Sequence, residues 1–111
     1  MSKKLWKNLD YIKKAVADGK YRYTIHGAKQ RIARRIRRRE IEEVIASSEV
    51  IEDYPDHHYG SACLLLGKTV RGKNLHILCS LQEIVDIITV YEPDLLQWEE
   101  DLKTRRKNEN K

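Results

Sequence analysis

The chain has 111 residues, 41% hydrophobic and 35% charged, enough for one packed domain under a heavily charged surface. Its 5 Gly and 2 Pro exclude a low-complexity or collagen-like chain. No apolar run approaches the roughly 20 residues of a membrane helix, and Met1 to Lys7 has basic residues without an apolar stretch behind them, so no secretory leader and a cytoplasmic location are expected.

The net charge of +5 is unevenly spread. Residues 1–39 carry 14 Lys/Arg against 2 Asp, and residues 40–100 carry 3 against 13 Asp/Glu. The basic third peaks at Arg31 to Arg39, six arginines in nine residues. Arginine offers a planar fork that suits phosphate oxygens, so this run is a candidate nucleic-acid footprint. The alternative is a solvated helix face, with Arg38 and Arg39 at helical spacing from Glu42 and Glu43.

In chain order, Leu5, Trp6, Leu9, Ile12, Ala15 and Val16 recur at helical spacing, which predicts a helix over 5–18 closed by Gly19. Tyr21 to Thr24 alternates as a short edge strand or extended connector. Thr24 then caps a second helix in which Ile25, Ala28, Ile32 and Ile36 form one apolar stripe. A third helix follows from about Arg38 to Ser47, burying Ile41, Val44 and Ile45. The period then changes: 50–54, 62–66, 75–80 and 85–91 read as strands. Pro93-Asp94 opens a last helix with Leu95, Leu96, Trp98 and Leu102 as burial candidates, and 104–111 is a polar tail. Helices followed by strands with short connections predict a single α+β domain. Its N-terminal helices pack on an antiparallel meander of about four strands, followed by a C-terminal helix.

Tyr23-Thr24-Ile25-His26-Gly27, Arg31-Ile32, Arg35-Ile36, Glu40-Ile41, the block Ile51 to Pro55, Tyr59-Gly60, Cys63-Leu64, Leu75-His76 and Ile88 to Asp94 with Trp98 resemble, in matching order over roughly residues 20–100, the bacterial DUF4258 family. The resemblance implies a fold similar to RelE-like, MqsR-like and barnase-like ribonucleases. By implication the chain is the toxin half of a toxin–antitoxin pair: a metal-independent RNA endonuclease checked by a small zinc-binding, YgiT-like antitoxin with Cys-x-x-Cys pairs. Fold alone does not fix function.

Metal-free RNA cleavage needs a proton acceptor for the ribose 2′-OH, charge stabilisation at phosphorus and a proton for the 5′-oxygen. His26, in the first turn of a basic helix, is one candidate. His76 is another, since it alternates out of phase with Leu75, Ile77 and Cys79 and so points to the sheet face expected to be open. Tyr91, which shares a strand face with Thr89, is the third. The competing role for His26 is a surface or partly buried histidine bonding a backbone carbonyl; for His76, Tyr91 and Tyr54 it is packing. Lys29, Arg31, Arg34, Arg35 and Arg38 are the candidate RNA-binding residues. In one regular helix Arg34 lies about 80° from His26 and Arg31 about 140°, whereas the family pattern favours Arg31 and Arg35. His57 and His58 with Asp56, even joined by Cys63 and Cys79, do not make a convincing zinc site. The two cysteines are expected as buried free thiols, and no cofactor is expected. A non-catalytic RNA- or ribosome-binding module, or a protein-interaction domain, would use the same arginine-rich helix.

Overall fold

The computed structural model describes residues 3–57, 61–81 and 84–107, with side chains from residue 9 onward. Among the described residues it is an α+β domain of three helices and a five-stranded mixed sheet. The elements are α1 (Lys3–Ala17), β1 (Tyr21–Tyr23), α2 (Ile25–Ala33), α3 (Arg38–Ala46), β2 (Glu49–Tyr54), β3 (Ala62–Lys68), β4 (Asn74–Ser80) and β5 (Val85–Tyr91). The expected meander is present as β2 to β5. The short aromatic segment is a fifth, edge strand, parallel to β5. None of the described helices is long and apolar enough to cross a membrane.

One sheet face carries an aliphatic core. Val50, Leu65, Ile77 and Val90 stand opposite one another across four strands. Ile12, Ala15 and Val16 of α1 and Ile41, Val44 and Ile45 of α3 pack on this face, as their helical spacing predicts. Cys63 and Cys79 lie in it as a directly opposed pair of free thiols. Leu5, Trp6, His58, Tyr59, Gly60 and the end of the polar tail lie outside the described side chains.

α1 ends where expected. Gly19 takes a φ of 77°, its N–H bonds to Val16 O at 3.0 Å and the Lys20 N–H reaches Ala15 O at 2.8 Å. The single helix expected over 25–36 instead breaks after Ala33. Arg35 adopts a φ of 56°, with Arg35 N–H on Ile32 O at 3.1 Å and Ile36 N–H on Arg31 O at 2.9 Å. This is the same paired end-motif as at Gly19, built with an arginine in the left-handed position.

The apolar stripe expected to bury α2 is also overturned. Thr24 caps the helix, its Oγ1 accepting from Gly27 N–H at 2.9 Å. Beyond the end of β1, α2 lies against β5 so closely that a Cβ on Gly27 would stand 2.2 Å from Ile87 O. Only a small residue fits there, so Gly27 faces inward while Ile25 and Ile32 face solvent, 78% and 67% exposed. Ile36, past the break, is buried.

The C-terminal helix is replaced by an irregular strap over 93–107. Asp94 accepts from Leu96 N–H at 2.8 Å, and Asp101 accepts from the N–H groups of Lys103 and Thr104 at 2.9 and 3.0 Å. Such short carboxylates compete with helix hydrogen bonds for the backbone. The strap folds back on itself through a Trp98–Arg105 bridge. Trp98 is buried as expected, but Leu95 and Leu96 are exposed.

Candidate functional site

Two β-bulges decide what the second sheet face displays. In β2 the pairing steps from Val50↔Leu65 to Glu52↔Leu64, leaving Ile51 extra. In β5 it steps from Cys79↔Ile87 to Leu78↔Thr89, leaving Ile88 extra. An extra residue inverts the alternation of faces. Val50 and Ile87 therefore point into the aliphatic core, while Glu52, Tyr54, Thr89 and Tyr91 point the other way.

On that face Leu64, Leu78 and Thr89 floor a cavity of about 160 Å³ walled by Tyr54, Tyr91, His57 and Arg105. Two strand-borne phenols, a threonine, an imidazole and a guanidinium thus converge over an apolar floor. A larger hollow of about 660 Å³ lies between the end of α1, β1 and Ile84. Of its charged groups, Lys14 is matched with Asp18 at 3.3 Å and Arg22 with Asp86 at 2.6 Å, while Lys20 has no ion pair among the described residues.

His76 lies on the second face, as its phase predicts, but the strap closes over it and it is fully buried, not open. Its Nε2 lies 2.7 Å from Leu102 O, and its Nδ1 lies 3.1 Å from the Tyr91 hydroxyl. A carbonyl only accepts, so Nε2 carries the proton and Nδ1 accepts from Tyr91. The ring packs edge-on to Trp98 at 4.4 Å and Tyr91 at 5.2 Å. Burial, seconded by the charge of Arg105, holds the imidazole below its ordinary pKa against the pull of Leu102 O and Glu52. Burial likewise raises the Tyr91 phenol.

Arg105 anchors the strap. It forms a two-pronged pair with Glu52 at 2.9 and 3.0 Å, and its guanidinium lies 4.5 Å above the Trp98 ring. Burial alone would raise the Glu52 carboxyl, but its bonds from Arg105 and Tyr54 outweigh this and hold it below the ordinary carboxylate range. The Tyr54 hydroxyl donates to Glu52, and burial first, then that carboxylate, pushes its pKa up. Composition and spacing gave no sign of Glu52 or Arg105: they stand 53 residues apart. Tyr54 and His57 drew attention only for packing and for metal binding.

The other expected site residues lie elsewhere. His26 is exposed on α2, its side chain makes no hydrogen bond to another described residue, and it is not brought together with His76 and Tyr91. Arg31 and Arg38 hold β1. Arg31 sits 5.2 Å from the Tyr23 ring centre and bonds Ile36 O at 3.2 Å; Arg38 sits 5.6 Å from the Tyr21 ring centre and bonds its hydroxyl at 3.2 Å. Tyr21 in turn donates to Glu42. Lys29, Arg34 and Arg35 are exposed and, among the described residues, unpaired. Among those residues no three His, Cys, Asp or Glu side chains gather as a metal site.

The model of the family described as a domain of unknown function (DUF4258) matches residues 23–92, from the second tyrosine of β1 to the residue after β5. The match takes in α2 and α3, both bulges and the cavity floor, but not the strap that supplies Arg105 and covers His76. No curated protein and no solved structure matches the chain.

Proposed function

The chain belongs to the DUF4258 family, and we propose that it is a metal-independent endoribonuclease, the toxin of a toxin–antitoxin pair, with its cleavage site in the cavity on the second sheet face. The observation that carries this reading is Tyr91, which lines the cavity together with Arg105 and whose hydroxyl is hydrogen-bonded to the buried His76. The order of helices before a meander supports a RelE-like or barnase-like architecture.

The chemistry follows from these groups. The ribose 2′-OH passes its proton to the Tyr91 oxygen as Tyr91 passes its own to His76 Nδ1. The imidazolium so formed keeps its Nε2–H on Leu102 O. The freed 2′-oxygen attacks phosphorus and the bond to the 5′-oxygen breaks. Arg105 and the Thr89 hydroxyl face the non-bridging oxygens, where negative charge builds. His57, at the cavity wall, supplies the proton to the 5′-oxygen. The products are a 2′,3′-cyclic phosphate and a 5′-hydroxyl. Lys29, Arg34 and Arg35 bind the flanking RNA backbone, and a small zinc-binding antitoxin checks the activity by covering this basic surface.

Mapping new 5′-hydroxyl RNA ends after brief expression tests the reading. Wild type and His26→Ala are expected to produce them, and Tyr91→Phe to lose them by roughly 10²- to 10⁴-fold. Ends that vanish with His26→Ala and persist with Tyr91→Phe would move the chemistry to α2. No ends from any folded variant would favour the second reading, a non-catalytic RNA-binding module, which the exposed Lys29, Arg34 and Arg35 support and whose affinity would fall steeply with salt.

A further inference from the structure

α2 carries its branched aliphatic residues on the outside. At about 100° per residue, with Ile25 at zero, Ile32 falls near −20°, Lys29 near 40° and Ala33 near 80°, while Gly27 falls near 200°. That outer arc is exposed throughout, and Gly27 opposite it is buried against β5. A scattered exposed isoleucine needs no explanation. Two in register on a nine-residue helix, 78% and 67% exposed, form a ridge. RNA does not account for it, since bases are held by aromatic or guanidinium stacking and phosphates by cations.

We propose that this ridge docks an acidic amphipathic helix of a partner protein. The partner's apolar stripe would cover Ile25, Ile32 and Ala33, and its Asp/Glu side chains would meet Lys29 on the ridge and Arg35 at its end. Charge complementarity selects this occupant, because those two cations are exposed and unpaired among the described residues. A second copy of the chain fits less well. Of the described helices, α1 and α3 pack their apolar faces into the core and α2 carries no Asp or Glu. The docking stands without the ribonuclease reading; only its consequence, that an occupied ridge covers Lys29 and Arg35 against RNA, rests on that reading.

The test uses the full chain, with fluorescence anisotropy of a labelled synthetic peptide of about 18 residues. The peptide carries leucines along one helical face and glutamates on its flanks, and a scrambled peptide has the same composition. The ordered peptide is expected to bind roughly tenfold or more tightly than the scramble. The double variant Ile25→Gln, Ile32→Gln should erase that difference and leave affinity for a single-stranded RNA unchanged. Three results would overturn the proposal: equal binding of the two peptides; loss of RNA affinity in the double variant, which assigns the ridge to RNA; or a dimer in sedimentation that the double variant converts to monomer. Peptide binding without RNA binding would reject the RNA reading and keep the docking surface.

Discussion

On one face of the sheet, Val50, Leu65, Ile77 and Val90 form a cross-strand row beneath α1 and α3, all aliphatic. On the other, the neighbouring row is Glu52, Leu64, Leu78 and Thr89, bordered by a turn-rich strap and by His57. The first face is held by shape and dehydration, which any well-fitting aliphatic set supplies. The second is held by directional contacts of a few named groups, Arg105 to Glu52, His76 to Leu102 O and Trp98 against His76. Directional contacts leave polar atoms facing a cavity, which a dry aliphatic layer cannot do.

Truncation should separate the faces most clearly. Ile77→Ala opens a cavity in a fully buried row and is expected to destabilise by about 2–5 kcal/mol in urea unfolding, with no loss of cooperativity. Arg105→Ala should cost less, about 1 kcal/mol, because the guanidinium is half exposed and its pair with Glu52 is partly screened. A double-mutant cycle with Glu52→Gln checks that the loss runs through this pair. Arg105→Lys should restore less than half of it, since an ammonium cannot reproduce the two-pronged geometry. If Arg105→Ala cost as much as Ile77→Ala, the strap would belong to the core and the contrast between faces would fail.

The same contrast explains what could be read in advance. α1, α3 and the meander follow from apolar spacing, because Ile12, Val16, Ile41, Val44 and Ile45 repeat at helical intervals and pack where that repeat puts them. α2 misleads for a tertiary reason: its stripe is as regular, yet backbone contact at Gly27 turns it outward. The second face was legible only in part. His76 could be placed there by alternation within its own strand. The bulges at Ile51 and Ile88 are not written in local propensity, and they bring Glu52, Tyr54, Thr89 and Tyr91 to the same face. Arg105 lies in what reads as a polar tail, beyond a segment whose proline and aspartate suggest a helix start, and its partner is set only by the folded chain.

Acidification offers a subtler probe, confined to the second face. The folded state holds His76 below its ordinary pKa, so the unfolded chain takes up its proton first as pH falls. Stability from this group is therefore complete above about pH 6.5 and drains as pH falls below that value, until the folded imidazole itself protonates. Chemical unfolding at pH 7 and pH 5.5 should show this loss in wild type and a smaller one in His76→Asn. Glu52 acts lower: its depressed carboxyl stabilises above the usual carboxylate range and releases that contribution as pH falls further. An equal loss in both proteins at pH 5.5 would mean that His76 is not held neutral by its surroundings.

The smallest expected effect compares two helix ends. Gly19 and Arg35 occupy the same position of the same end-motif, with φ of 77° and 56°. Glycine adopts that conformation freely, whereas an arginine pays about 1 kcal/mol to do so. Arg35→Gly should therefore stabilise the fold by a few tenths to about 1 kcal/mol, the gain trimmed by the greater freedom of glycine in the unfolded chain. Gly19→Ala should destabilise by a similar amount. Arg35 is exposed and makes no hydrogen bond from its side chain to another described residue, so nothing in the fold repays its strain. A strained residue of that kind points to use at a surface. Thermal unfolding and RNA binding measured on the same variants would show it. Arg35→Gly should melt higher and bind RNA more weakly, and Arg35→Lys, which keeps both the charge and the strain, should change neither by much. A rise in stability with unchanged RNA affinity would remove Arg35 from the basic surface and leave Lys29 and Arg34 to carry it.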